Sequence, residues 1–219
     1  MDLHELPGSP GEHFLQVKYG STSRARAFYQ KQMLDHLNPL MRRFIVEQEM
    51  VFLASADSRG ECDCSFRAGE NGFIRILDER TLIYPEYRGN GVRSSLGNIV
   101  ENPHVALLFL DFFRDGIGLH VNGRASLWSR DELLRTGRWP SDGPQAPETG
   151  TACQAELWVL VEIDEAYIYC SKHIPLFVKR SKEIDWGTDD VRKKGGDYFH
   201  AKGCSRPWSD SPVSDTEPG

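Results

Sequence analysis

The stretch Tyr84-Pro-Glu-Tyr-Arg-Gly-Asn-Gly-Val-Arg-Ser-Ser-Leu-Gly-Asn-Ile99 joins a strand-like run to a short helix through a glycine-rich loop. The loop carries Arg88 and Arg93, and Ser94 and Ser95 open the helix. Free backbone N–H groups at a helix start, serine hydroxyls and guanidinium groups all favour a bound phosphate. The segment therefore predicts the phosphate-binding part of a nucleotide cofactor site. The alternative is a surface loop whose serine only caps the helix.

The composition is that of one globular domain with an acidic net charge. The 219 residues are 39% hydrophobic and include 5 Trp, 7 Tyr and 11 Phe, enough for a sizeable core. A formal net charge of −6 argues against a nucleic-acid partner, which needs a concentrated basic patch. No apolar run reaches the about 18 residues of a membrane span, and the first residues lack a signal-peptide pattern. We therefore expect a cytoplasmic protein that binds neither nucleic acid nor membrane.

The five cysteines, at positions 62, 64, 153, 170 and 204, are odd in number and irregularly spaced. This pattern favours reduced thiols in a cytosolic protein over a disulfide framework. An alternative is a zinc site, because Cys62 and Cys64 would lie on one face of a strand and Cys170 and His173 would complete a ligand set. The two halves are far apart in the sequence, so free cysteines remain the main expectation.

The sequence indicates one main domain with irregular ends. Residues 1–20 are rich in Pro and Gly and predict an irregular lead-in. Helical spacing predicts a helix from Ser23 to Leu37, and Asn38-Pro39 predicts the cap and first turn of a second helix. The main domain is expected over residues 21–202, with a loop at 137–152 and a disordered tail at 203–219.

Short strand-like runs dominate the middle of the chain. They are separated by turn residues and span 50–56, 61–67, 73–77, 81–84, 104–110, 118–128, 156–163 and 166–170. The spacing suits antiparallel hairpins, and no repeating strand–helix–strand unit occurs. The pattern predicts a mainly β fold with flanking helices, built as a closed or nearly closed antiparallel barrel.

A third arginine belongs with the glycine-rich loop if the strands fold as hairpins. Arg67 ends the second strand-like run. We expect it to converge with Arg88, Arg93, Ser94 and Ser95 on one phosphate, through charge-assisted hydrogen bonds. The alternative for each single arginine is a solvated partner of a nearby Asp or Glu.

The loop, the short helix before Asn102-Pro103 and the later Val121-Asn-Gly-Arg-Ala125 resemble the pyridoxamine 5′-phosphate oxidase-like flavin-binding split barrels. The resemblance covers about residues 40–170. It implies an antiparallel split β-barrel of the FMN-binding type and a homodimer with the isoalloxazine ring at the subunit interface. It also implies phosphate-binding roles for Arg67, Arg93, Ser94 and Ser95.

Two departures separate this chain from the vitamin B6 enzymes of that family. Those enzymes carry a consecutive Arg-Lys pair where this chain has Ser94-Ser95, and no Arg-x-His ending stands between Trp186 and Lys202. Oxidation of vitamin B6 is therefore not expected. The resemblance is to the flavin-nucleotide-binding subfamily whose substrates are undefined.

Further cofactor contacts are predicted around this centre. Backbone N–H groups at the strand ends are predicted to bind the flavin ring, at Ala68, Tyr84, Pro85 and Glu86. Asn90 in the loop and Asn122 on a polar strand face are further candidates. Lys172 and His173 would come from a neighbouring subunit, and Trp186 would stack on the ring. The alternative for Asn122 and its neighbour His120 is a pair of solvent-facing polar residues on a half-buried strand. The alternative for Lys172 and His173 is simple exposure to solvent.

The function that these features predict is an FMN-dependent oxidoreductase acting on a small aromatic or conjugated molecule, with the redox chemistry on the flavin. No serine-hydrolase elbow, zinc-protease motif or P-loop occurs in the sequence. One alternative is a reductase that uses a deazaflavin (F420) in the same barrel, with Arg88 and Arg114 on a broader basic groove. The other is a non-catalytic flavin-binding or redox-sensing module.

Overall fold

A computed structural model describes residues 6–139, 155–182, 188, 190–206 and 208. The predicted loop at 137–152 therefore lies mostly outside the described residues, as does Trp186. Of the predicted tail, only residues 203–206 and Trp208 are described.

Three helices and a two-residue strand precede the main sheet. Helix α1 spans Pro10–Lys18, α2 spans Thr22–Gln32, strand β1 spans Met33–Leu34 and α3 spans Pro39–Val46. The expectation of an irregular lead-in over residues 1–20 was wrong for α1, because Ser9 and Glu12 form a reciprocal capping box. The predicted cap of α3 is confirmed: Asn38 accepts a hydrogen bond from the Met41 N–H at 2.9 Å.

The strands follow the predicted order with small shifts at their ends. β2 spans Met50–Ala56, β3 Cys62–Ala68, β4 Arg75–Asp78, β5 Thr81–Glu86, β6 His104–Leu110, β7 Gly118–Trp128 and β8 Leu157–Tyr169. Helix α4, Ser94–Glu101, lies between β5 and β6, and α5, Arg130–Arg135, follows β7. The sequence analysis did not anticipate α5.

The two last predicted strands are one continuous strand, β8. Its pairing with β7 shifts between Asn122↔Glu165 and Gly123↔Ile163, which leaves Asp164 as an extra residue in a β-bulge. A side chain at Gly123 would place its Cβ 2.1 Å from the Glu162 carbonyl oxygen. The bulge and this glycine let β8 bend without breaking, so the polar Asp164-Glu165 pair does not end the strand.

The strands form one antiparallel sheet in the order β3-β2-β6-β7-β8-β5-β4, with β1 added beside β8. β2–β3 and β4–β5 are the predicted hairpins. Although β3 and β5 stand near opposite ends of this order, Arg67 Nε on β3 lies 2.8 Å from Glu86 Oε2 on β5. The sheet therefore curls on itself, and the predicted antiparallel split β-barrel is confirmed.

The inner face of the barrel holds the main hydrophobic core. Alternate residues of the strands are fully buried there, and α4 packs Leu96 and Ile99 against them. Tyr84 belongs to this core with no exposed surface. Among the helices that the structure describes, none has both the length and the apolar character to cross a membrane.

Candidate functional site

The glycine-rich loop leads directly from β5 into α4. Residues 87–93 make the turn, and Arg93 closes it in the left-handed conformation, with φ 56° and ψ 34°. Within the loop, Asn90 Oδ1 accepts a hydrogen bond from the Val92 N–H at 3.0 Å. The first N–H groups of α4 have no partner within the helix, which gives this end a partial positive charge.

Strand β3 presents a row of polar side chains to the start of α4. Asp63, Ser65 and Arg67 alternate along the strand and therefore share one face. Asp63 Oδ2 accepts hydrogen bonds from the hydroxyls of Ser65 at 2.6 Å and Ser95 at 2.8 Å. The two serine oxygens are 2.9 Å apart. These hydrogen bonds hold the pKa of Asp63 below its usual value, so the carboxyl is ionised at neutral pH.

Arg67 connects this polar row to β5. Its Nε donates to Glu86 Oε2 at 2.8 Å, and its Nη2 donates to the Ser95 hydroxyl at 3.3 Å. Both side chains of the ion pair are largely buried. Burial raises the pKa of Glu86, and the nearby Arg67 opposes this shift only in part.

Arg93 makes the second ion pair of the site. Its Nη2 lies 2.7 Å from Glu156 Oε2. Glu156 is held beside the end of β5, because its backbone N–H donates to the Glu86 carbonyl at 2.9 Å. The side chains of Arg93 and Glu156 are both partly exposed. The Arg93 guanidinium can therefore turn to a ligand, because Glu156 would not be left as a buried, unpaired carboxylate.

These residues surround one cavity of about 740 Å³. Its charged lining comprises four cations, Arg67, Arg88, Arg93 and Lys194, and three carboxylates, Asp63, Glu86 and Glu156. The other lining residues are Ser65, Tyr87, Gly89, Asn90, Gly91, Val92, Ser94, Ser95 and Leu96. The cavity is therefore polar, with a small excess of positive charge at the N-terminal end of α4.

Half of the predicted contact residues meet in this cavity. They are Arg67, Glu86, Arg88, Asn90, Arg93, Ser94 and Ser95. The alternative of a solvated partner of a carboxylate also holds for Arg93, whereas Arg67 pairs with Glu86 but is largely buried. These two arginines therefore pair with carboxylates and also line the same cavity.

Ala68, Tyr84 and Pro85 do not line this cavity. The Tyr84 side chain points into the core, where burial raises the pKa of its hydroxyl. Pro85 has no backbone N–H and cannot donate to a flavin ring, so its predicted donor role was wrong. Glu86 lines the cavity and its carboxylate accepts a hydrogen bond from Arg67, while the backbone contact expected of it stays a prediction.

Asn122 lies on the outer face of β7, away from the cavity of its own chain. Its amide donates to Glu165 Oε1 at 2.7 Å, and the neighbouring His120 stacks on Tyr167 with ring centroids 4.8 Å apart. Lys172 and His173 form an exposed 3₁₀ turn after β8. Their contacts with a flavin held by a neighbouring subunit stay a prediction.

Two alternatives raised by the sequence are not supported by the described part of the chain. Cys62 and Cys64 are exposed on β3, while Cys170 follows β8, and three strands lie between β3 and β8 in the sheet order. No group of three or more metal-ligating side chains is found among the described residues. Arg114 pairs with Glu47 at 3.3 Å and does not extend the cavity.

Several lining residues were not predicted from the sequence. Asp63 and Ser65 had a readable signal, because they stand four and two positions before Arg67 on one strand. The local sequence contains no signal that would place Glu156 and Lys194 at the cavity. Their positions depend on the β5–β8 register and on the path of the chain after β8.

Residues 37–170 match the sequence model of the family described as pyridoxamine 5′-phosphate oxidase. The match covers more than half of the 219 residues. The chain belongs to the pyridoxamine 5′-phosphate oxidase family. Arg67, the glycine-rich loop and α4 all fall within the part that matches this family. No curated protein matches the chain at a significant level.

Solved structures similar to this member of the family come from several bacteria. HupZ from Group A Streptococcus is 17% identical, with 60% of this chain and 93% of that chain covered and a TM-score of 0.41. General Stress Protein 26 from Bacillus anthracis is 16% identical, with 57% and 88% covered and a TM-score of 0.37. HutZ, the heme storage protein from Vibrio cholerae, is 13% identical, with 60% and 94% covered and a TM-score of 0.37.

Proposed function

We propose that this protein binds FMN with the phosphate at the start of α4 and serves as an FMN-dependent oxidoreductase. The observation that carries the proposal is the gathering of Ser94, Ser95 and three arginines around one cavity at a helix N-terminus. Helix N-termini, hydroxyls and guanidinium groups each stabilise a phosphate, and here they share one wall. Membership of the pyridoxamine 5′-phosphate oxidase family supports a flavin as the ligand.

The electrostatics of the cavity fit one phosphate group. Arg93 is half-exposed and can exchange Glu156 for a ligand oxygen at small cost, because exposed ion pairs contribute little stability. Arg88 and Lys194 add positive charge on the same cavity. Arg67 is held by the largely buried Glu86 and acts mainly to orient Ser95.

The size and lining of the cavity fit a cofactor of FMN size. Ligand sites commonly measure about 300–1,000 Å³, and this cavity measures about 740 Å³. Tyr87, Val92 and Leu96 give it an apolar portion. Bound FMN supplies hydride or electron transfer, while the residues of the chain bind and orient it. A small aromatic or conjugated substrate suits stacking on a flavin ring.

A homodimer is part of this proposal. One row of side chains crosses the outer face of the sheet through Phe66, Phe52, Leu108, His120 and Tyr167. Phe66 is 53% exposed in a single chain and packs edge-to-face on Phe52. A contiguous apolar row of this kind marks a surface that a partner covers. We extend the proposal to Lys172 and His173, which lie on an exposed turn after β8 and would contact the flavin of the neighbouring subunit in such a dimer.

The visible absorption spectrum of the purified protein with added FMN tests the ligand. Bound oxidised FMN gives two visible bands, a deazaflavin gives one violet band and haem gives an intense Soret band. We expect the flavin spectrum and a saturable titration. Among the described lining residues, Tyr87 is the one side chain of a type that commonly ligates haem iron. A Soret band on the purified protein with no flavin binding would overturn the proposal.

Reduction of the bound flavin separates an enzyme from a binding module. We expect NADH or NADPH to bleach the flavin bands and an electron acceptor to restore them over many turnovers. A flavin that stays oxidised with every reductant would assign the protein to the non-catalytic alternative.

A further inference from the structure

Asp63 places a carboxylate among the cavity side chains that are proposed to bind a phosphate. Asp63 Oδ2 lies 2.6 Å from the Ser65 hydroxyl and 2.8 Å from the Ser95 hydroxyl. Ser95 is itself buried and opens α4. Asp63 therefore occupies the position where a ligand phosphate would collect the same hydrogen bonds.

Ser65 and Ser95 cannot donate their hydrogen bonds to Asp63 and to a phosphate at the same time. Each hydroxyl has one O–H to donate, and in the structure both donate to Asp63. A phosphate that takes them leaves Asp63 with fewer donors and sets two negative groups side by side. The lowered pKa of Asp63 keeps it charged at neutral pH, so the repulsion persists there.

The two arginines with known carboxylate partners, Arg67 and Arg93, do not remove this competition. Arg67 contributes to the low pKa of Asp63, but its Nε is bound to Glu86 and its Nη2 to Ser95. Arg93 is paired with Glu156. The carboxylate is therefore compensated mainly by hydroxyl groups that a phosphate also needs.

We propose that Asp63 is a specificity-determining residue that weakens phosphate binding at the start of α4, so that FMN is held as an exchangeable ligand. This inference rests on the proposed function for the identity of the ligand. Its core is a competition between Asp63 and any phosphate for the Ser65 and Ser95 hydroxyls. The physical consequence is that the phosphate adds less to flavin affinity than the serines and arginines of the cavity would give without Asp63.

The experiment compares Asp63→Asn with the wild type for three probes: FMN, riboflavin and inorganic phosphate. Asparagine keeps the shape of the side chain, removes its charge and leaves one oxygen to accept. We expect Asp63→Asn to bind FMN and inorganic phosphate at least about tenfold more tightly, since one repulsive charge pair is removed. Riboflavin lacks the phosphate, so its affinity should stay within about twofold.

Asp63→Ser serves as a second variant, and Asp164→Asn is the matched control. Asp164 is half-exposed, pairs with Arg124 and lies outside the cavity. Unchanged or weaker phosphate binding in both Asp63 variants would overturn the inference, as would an equal gain for FMN and riboflavin. If no form binds either flavin, the proposed function fails, and the inorganic phosphate titration still decides the role of Asp63.

Discussion

At the scale of single residues, Arg93 combines an unusual backbone conformation with a functional side chain. It lies in the left-handed region at φ 56°, where a Cβ is crowded, and its side chain makes no cap to α4. Nothing in the backbone of the turn therefore favours arginine over glycine. The guanidinium explains the residue, because it pairs with Glu156 and lines the cavity.

Replacing Arg93 by Gly and by Ala separates the backbone from the side chain. Both variants lose the same ion pair, but only glycine relieves the left-handed strain. We expect Arg93→Gly to be more stable than Arg93→Ala by about 1 kcal/mol. Urea unfolding of the two proteins measures this difference, and equal stability would show that the turn relaxes in the alanine variant.

At the scale of elements, the turn between β6 and β7 depends on one buried carboxylate. Asp111 Oδ1 accepts the N–H groups of Phe113 and Arg114 at 2.9 and 3.1 Å, and Oδ2 accepts that of Asp115 at 2.8 Å. Burial alone would raise the pKa of Asp111, but the three N–H donors hold it below its usual value. The turn is thus stabilised by the charged form.

Asp111→Asn should lower the free energy of unfolding by about 1–3 kcal/mol at neutral pH, because one charge-assisted bond is lost. Since the native pKa is depressed, the advantage of the wild type is complete above about pH 4 and disappears as the pH falls through the lower native pKa. Chemical unfolding at several pH values tests this. A difference between the two proteins that grows toward acid would contradict it.

The strands were predictable because each carries its own period and turn residues. β2, β6 and β7 have the predicted limits, since the apolar runs of β2 and β6 and the alternating residues of β7 are followed directly by the polar residues Asp57, Asp111 and Ser129. Helix α1 was missed because its Ser9–Glu12 capping box stands among proline and glycine. The single strand β8 was read as two because the bulge at Asp164 follows from pairing with β7, which the local sequence does not contain.

At the scale of the whole molecule, the outer face of the sheet has a row of apolar and aromatic side chains that a dimer would bury. Phe66→Glu places a charge in this row, opposite to the face that carries Asp63 and Arg67. We expect wild type to sediment as a dimer and Phe66→Glu to shift toward monomer. Phe14→Glu on α1, where the phenyl ring is also exposed, is the control and should stay dimeric. Equal behaviour of all three proteins would contradict the proposed interface.

Only part of the candidate site could be predicted from the sequence. The loop, the serines and the arginines were found because they are near one another in sequence or follow strand alternation. The partners Glu86 and Glu156 became visible only through the closure of the barrel and the β5–β8 register. Asp63 lies between Cys62 and Cys64, and its role depends on hydrogen bonds from Ser65 and Ser95, the second of which joins β3 to α4.

The most direct test of a phosphate-binding site at the N-terminus of α4 compares FMN titrations of the Arg93→Ala and Arg124→Ala variants. The two arginines are matched, with side chains 51% and 55% exposed and one acidic partner each. We predict that Arg93→Ala weakens FMN binding about 10- to 100-fold, since charge-assisted contacts are lost, while Arg124→Ala binds as the wild type does. An Arg93→Ala protein that binds FMN with wild-type affinity would contradict the account.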